Sequence, residues 1–192
     1  MRNVRPHMRP LFTIHAGEYV VGDYIEQTFP DLDVWVPVKD RGIDLLVTGN
    51  SNLPPISLQV KLSRDYKALE AATPFQKAIR AAGWLTIDDQ KLANSKADLW
   101  VIVLVSNERM LKPQFVTIPP KDLHRKLLVV HGKCKRYQFY PWITKDGLCL
   151  DGRGLMSAHK DQLVKGTIVL GERDLTPYLG QWKALENLAN KS

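Results

Sequence analysis

Cysteine is scarce in this chain. Cys134 and Cys149 are the only two among 192 residues, which fits a reducing compartment better than a disulfide scaffold. Long apolar runs are missing as well. The longest, Leu99 to Val105, is far too short to span a bilayer. The opening MRNVRPHMRP is basic but has no apolar core behind it, so no secretory leader is read there. No membrane association is expected, and the expected location is cytoplasmic. Internal repeats and low-complexity tracts are not evident. Several chemistries lack their signatures. His124, His131, Cys134 and Cys149 do not have the paired spacing of a structural zinc site. Gly152-Arg153-Gly154 is not followed by the lysine and hydroxyl of a phosphate loop, and no G-x-S-x-G elbow is present.

Acid is in deficit: 27 Lys and Arg face 20 Asp and Glu. A cationic surplus suits a polyanionic partner. Apolar residues at 44% and a length of 192 are ordinary for one folded domain with a sizeable core. Arg2, Arg5 and Arg9 make residues 1–12 a basic arm. It is either a phosphate contact or a solvated terminus.

Alternation dominates the next stretch. DVWVPV, KDRG, IDLLVT, GNSNLPP and ISLQVKLS run from Asp33 to Ser63 as strand, turn, strand, turn and strand. Ile43, Leu45 and Val47 share one face of the second strand. Ile56, Leu58, Val60 and Leu62 share one face of the third, and Ser57, Gln59, Lys61 and Ser63 the other. Asp44 belongs to that other face. Directly opposed residues of an antiparallel pair point to the same side. Asp44 therefore meets Gln59 or Lys61, barring a bulge. Upstream, the helical stripe Ile14, Val21, Ile25 also carries Glu18, a costly place for an unpaired carboxylate. Asp44, Gln59, Lys61 and Glu18 then converge, or else they are a solvated sheet face and a frayed helix start.

Glu on a helix, Asp44 in RGIDLLV, then Gln59 and Lys61 in LQVKLS resemble the PD-(D/E)XK nuclease superfamily. Gln59 stands where an acid is usual. That makes the pattern similar to the Q-x-K branch seen in Mrr-like restriction endonucleases, and related to homing endonucleases and archaeal Holliday-junction resolvases. The resemblance implies an α/β, restriction-endonuclease-like core: a mixed central β-sheet, antiparallel hairpin plus parallel crossover strands, flanked by helices. It implies a nuclease core over residues 13–130 and a C-terminal elaboration over 131–192 packed on the same domain. It implies a metal-dependent endonuclease acting on DNA, of restriction, junction-resolving or repair type, with RNA not excluded. Mg²⁺, or Mn²⁺ in its place, is expected on Asp44, Gln59, the Val60 carbonyl and Glu18. Lys61 is expected to orient the attacking water and stabilise developing charge. A homodimer is expected if both strands are cut. The alternative is a nucleic-acid-binding protein that keeps the fold without the catalysis, and Gln59 keeps that alternative open.

Nucleic-acid contacts are read at Arg41, Ser63 and Arg64, flanking the motif, and in a basic cluster of Lys121, Arg125, Lys126, Lys133, Lys135 and Arg136. The competing reading is a strand end and a solvated helix face. Beyond the motif, Thr73-Pro74 predicts a helix with Phe75, Ala78, Ile79 and Ala82 as its buried stripe, and a further turn over Ile87 to Leu92. Residues 97–106 predict a strand buried on both faces. Gln114–Ile118 predicts a strand, Lys121–Leu128 a helix, and Lys135–Ile143 one aromatic strand. Thr176-Pro177 predicts the start of a last helix docked by Leu179, Trp182 and Leu185.

Overall fold

The computed structural model describes residues 15–39, 41–49, 53–64, 73–105 and 112–189. The basic arm, 1–12, lies outside them. Helix α1, Ala16–Thr28, turns Gly17, Glu18, Val21 and Ile25 inward. It ends at Phe29, because a residue preceding proline is steered out of helical geometry. Strands β1 (Leu32–Trp35), β2 (Leu45–Gly49) and β3 (Ile56–Arg64) follow as an antiparallel meander. Strand β6, Leu99–Val105, then lies parallel to β3 with Leu58 beside Leu99 and Lys61 beside Ile102. Strand β7, Gln114–Ile118, returns antiparallel to β6. The sheet order is β1-β2-β3-β6-β7, a mixed sheet with one parallel pair.

Both faces of this sheet are covered, which explains why β6 reads as an unbroken apolar run. On one face Val101 and Val103 join Leu45, Val47, Leu58 and Val60 under α1 and the last helix, α6 (Lys183–Ala189). Fully burying Val21 and Ile25 contributes roughly 1.5–3 kcal/mol each. On the other face Trp100, Ile102 and Leu104 pack with Leu123 and Leu127 of helix α4, Pro120–His131.

The crossover from β3 to β6 differs from the expected single helix. Helix α2 covers only Pro74–Ala78, with Thr73 capping Gln76 N–H. Ile79–Ala82 then becomes strand β4. Strand β5 (Leu85–Asp88) and helix α3 (Asp89–Ala93) complete the crossover. Its partners come from far along the chain. β5 pairs with β8, Arg136–Phe139, and β4 pairs with β9, Pro141–Thr144. The stretch expected as one strand, 135–143, is thus two strands in two sheets, parted at Tyr140. Pro141 has no N–H to continue a ladder. Strand β10 (Cys149–Asp151) pairs with β9, and helix α5 covers Ser157–Val164. Thr176-Pro177 starts a single 3₁₀ turn rather than the last helix, which begins at Lys183. Trp182 and Leu185 are nonetheless buried against the sheet.

Strands β8 and β9 are therefore woven into the crossover, and Tyr137, Phe139 and Ile143 share its core. Among the described residues no helix is long and apolar enough to cross a membrane. Cys134 and Cys149 are both free thiols.

Candidate functional site

β2 accompanies β3 only from Leu45↔Leu58 to Val47↔Ile56, whereas β3 continues beside β6 as far as Arg64. From Gln59 onward β3 therefore has no β2 partner on that side. Asp44 stands at this fork. Its N–H donates to Leu58 C=O at 2.8 Å, although Leu58 is already opposite Leu45. Two residues against one is the count of a β-bulge. The carboxylate turns along the open edge, where Asp44 Oδ2 accepts Val60 N–H at 2.7 Å and the Gln59 Nε2 amide. Asp44 is only 4% exposed. A buried carboxylate needs such donors, and each charge-assisted bond contributes about 1.5–3 kcal/mol.

Glu18 arrives from the other side. α1 packs on the face of Leu58 and Val60, while alternation sends Gln59 and Lys61 to the opposite face. The fork lets both sides open into one cavity of about 740 Å³, lined by Glu18, Asp44, Gln59, Val60 and Lys61. Gly17 permits this approach. A Cβ there would lie 2.9 Å from Leu62 Cβ and 3.2 Å from Val60 Cγ1. Glu18 also sits at the third position of α1 and reaches back toward His15 N–H at 3.4 Å, a long reciprocal cap.

Gly17→Ala gains up to ~1 kcal/mol of helix propensity but drives a methyl into a strand's Cβ. The expected net result is a loss of about 1–2 kcal/mol in urea denaturation, since overpacking commonly costs 1–3 kcal/mol.

Lys61 rests with its ammonium 5.3 Å from the centre of the Trp100 ring. A cation over an indole face is attracted by the ring quadrupole. Trp100 is 3% exposed, and its Nε1–H donates to Ser95 Oγ at 2.9 Å. Ser95, Lys91, Asn94 and Lys96 form the wall of the same cavity, and Arg41 and Gly42 line it too. The sequence did not mark Trp100 or the α3 wall. A Trp breaking the aliphatic run LWVIVLV was the one available signal. It has meaning only once the parallel register sets Trp100 beside Gln59.

The flanking contacts divide. Arg41 lines the cavity. Ser63 does not: it is 3% exposed, and its Oγ accepts Trp84 N–H at 2.9 Å. The Arg64 side chain lies outside the described set. None of the six residues of the basic cluster lines this cavity. Lys121 and Arg125 border a separate cleft beside Leu92. Arg125 pairs with Glu172, and Lys126 is buried with its Nζ 3.4 Å from the same carboxylate. The Arg125 hydrogen bond holds the Glu172 carboxyl below its usual range. Lys133, Lys135 and Arg136 are exposed.

The histidines have other partners. His124 Nε2 lies 2.8 Å from Asp89 Oδ1, and Tyr137 O–H donates to that oxygen at 3.0 Å. Among the described residues no group of three or more His, Cys, Asp or Glu is placed to hold a metal. Burial, then the bond to the Asp89 carboxylate, pushes the Tyr137 phenol up to about 12. The folded phenol keeps its proton where an unfolded one has lost it. Its contribution is whole below about pH 10 and is lost between roughly pH 10 and 12. Tyr137→Phe is expected to flatten that alkaline fall in stability, read by urea denaturation at pH 8, 10 and 11.5. An unchanged slope would locate the alkaline loss elsewhere.

The donor set at the fork comprises two carboxylates, the Gln59 amide and the Val60 carbonyl. All offer hard oxygens, which suit Mg²⁺ or Mn²⁺, ions held by one or two carboxylates with water and phosphate completing the shell. Gln59 turns its nitrogen to Asp44. Presenting the oxygen to a cation takes a half-turn about a soft terminal torsion. No protein-family model, curated protein or solved structure matches the chain.

Proposed function

We propose that the protein is a metal-dependent phosphodiesterase acting on DNA, a nuclease of the Q-x-K type with a restriction-endonuclease-like core. One observation carries the reading. A single cavity gathers two carboxylates, Glu18 and Asp44, with Lys61 and a surplus of cations in Arg41, Lys91 and Lys96. Carboxylates alone repel a phosphate and cations alone have no use for two acids. Together they fit a cation bridging protein and phosphate.

In this reading Asp44 and Glu18 hold the divalent ion, with Gln59 and the Val60 carbonyl as neutral ligands. When bound, the ion supplies electrophilic stabilisation of charge on the phosphate oxygens. Lys61, steadied over Trp100, orients water toward phosphorus and offsets charge on the equatorial oxygens. Arg41, Lys91 and Lys96 hold flanking phosphates. Cutting both strands of a duplex calls for two such sites, so a homodimer is part of the proposal. With Gln59 in place of an acid the site carries one charge less, and activity is expected to need millimolar Mg²⁺ or to prefer Mn²⁺.

The test is supercoiled plasmid with Mg²⁺ or Mn²⁺, beside Asp44→Ala and Lys61→Ala. Wild type is expected to nick, and Lys61→Ala to be slower by about 10²-fold. Failure of the wild type to cut plasmid, linear, branched or single-stranded DNA with either ion would overturn the reading. A second reading rests on Gln59, whose amide satisfies Asp44 without any cation. It is a DNA-binding protein without cleavage, and its signature is a gel shift with intact substrate.

A further inference from the structure

A second cavity, about 370 Å³, lies at the end of α4 and shares no residue with the first. Its charged lining is wholly basic or imidazole: His131, Arg136, Arg153 and Arg173, with Cys134 and Gly154. His131 and the three arginines come from four places: the last residue of α4, the start of β8, the turn after β10, and the 3₁₀ turn Gly171–Arg173. Two of the arginines are tethered by the backbone. Arg173 Nη1 donates to Asp151 C=O at 3.0 Å and to Arg153 C=O at 2.6 Å, and Arg153 Nη1 donates to Gln138 C=O at 3.3 Å. Asp151 is not in the lining. It is 3% exposed and is held by His131 Nε2 and by the Tyr140 and Arg153 N–H groups.

Three arginines line one small cavity, and an anion there would offset their like charge. A guanidinium carries five N–H donors in a planar fork that matches phosphate. Tethering Arg153 and Arg173 through one nitrogen each fixes their planes before any ligand arrives, which lowers the ordering cost of binding. We propose that this cavity binds a phosphate group, held by Arg136, Arg153 and Arg173. The group is either a free phosphate compound or a phosphodiester of a nucleic-acid strand. The site is independent of the chemistry at Asp44.

The experiment uses the full chain without divalent metal. Inorganic phosphate and pyrophosphate are titrated by calorimetry, and a 5′-hydroxyl oligonucleotide, which carries diesters only, by fluorescence anisotropy. Arg136→Glu is compared with Lys165→Glu, a charge reversal at an exposed lysine outside the cavity. Arg136→Gln serves if the reversal impairs folding. Binding is expected in at least one arm, weakened about tenfold or more by Arg136→Glu, the scale of a lost charge-assisted contact, and changed less than twofold by Lys165→Glu. A response to phosphate or pyrophosphate identifies a free phosphate ligand, and a response to the oligonucleotide alone identifies a strand. No binding in any arm, binding unmoved by Arg136→Glu, or an equal loss in Lys165→Glu would overturn the site.

Discussion

Asp44→Asn is expected to leave the fold in place and to slow plasmid nicking by about 10³-fold, a barrier increase of roughly 4 kcal/mol. Asparagine has nearly the shape of aspartate, and its oxygen can still accept the Val60 N–H that Asp44 Oδ2 now receives at 2.7 Å. The structural loss is the strengthening that charge gives to that bond and to the one from Gln59, on the order of 1–2 kcal/mol. The chemical loss is larger, because a neutral amide is a poor ligand for a hard cation. Time courses of supercoiled-to-nicked conversion, read beside urea midpoints, separate the two. A variant that nicks at the wild-type rate would remove Asp44 from the reaction. One that no longer folds would make the residue structural.

Gln59→Glu should convert a contact that holds the fork together into a repulsion that a cation relieves. The Gln59 amide nitrogen now bonds Asp44 Oδ2, and a carboxylate oxygen would take its place. Two like charges 4 Å apart interact by about 4 kcal/mol at an effective dielectric near 20. Relaxation and proton uptake remove part of that, so a loss of roughly 2 kcal/mol at neutral pH without metal is expected. The sign with pH follows. The carboxyl pair is held above its unfolded value, so the penalty is absent in acid and grows as pH rises through the ordinary carboxylate range. Millimolar Mg²⁺ should restore stability in this variant much more than in wild type, with metal affinity raised at least tenfold. Thermal or urea midpoints with and without Mg²⁺ read this without any nuclease assay. Equal Mg²⁺ responses in the two proteins would argue against a cation at the fork.

What the sequence disclosed followed its periodicities. Leu45, Val47, Leu58 and Val60 alternate because they face the core shared with α1 and α6, and the same alternation sends Gln59 and Lys61 to the other side of β3. The bulge that turns Asp44 along the strand edge was not readable, since it depends on which carbonyl accepts its N–H. The crossover misled for a different reason. Phe75, Ala78, Ile79 and Ala82 have helical spacing, but Ile79 pairs across to Thr144 and Ala82 to Trp142. A distant partner overrides local propensity there. Trp100 and Ser95 are not legible as site residues because parallel register is set by the whole crossover and leaves no short-range trace. The basic cluster, contiguous in sequence, is divided in space: Arg125 and Lys126 pair with Glu172, while Arg136 lines a cavity with Arg153 and Arg173.

The strand that bears Lys61 is bound along one margin to β6, whose Val101, Ile102 and Val103 are wholly enclosed. Opening the strand there disturbs the core to which β6 belongs, which holds the backbone at Lys61 in place. In the proposed nuclease, accommodation to differently shaped substrates then falls to the periphery, the Arg41 turn and the short α3 wall. Changes of target preference are accordingly sought in those two segments, with the strand that holds the lysine left untouched.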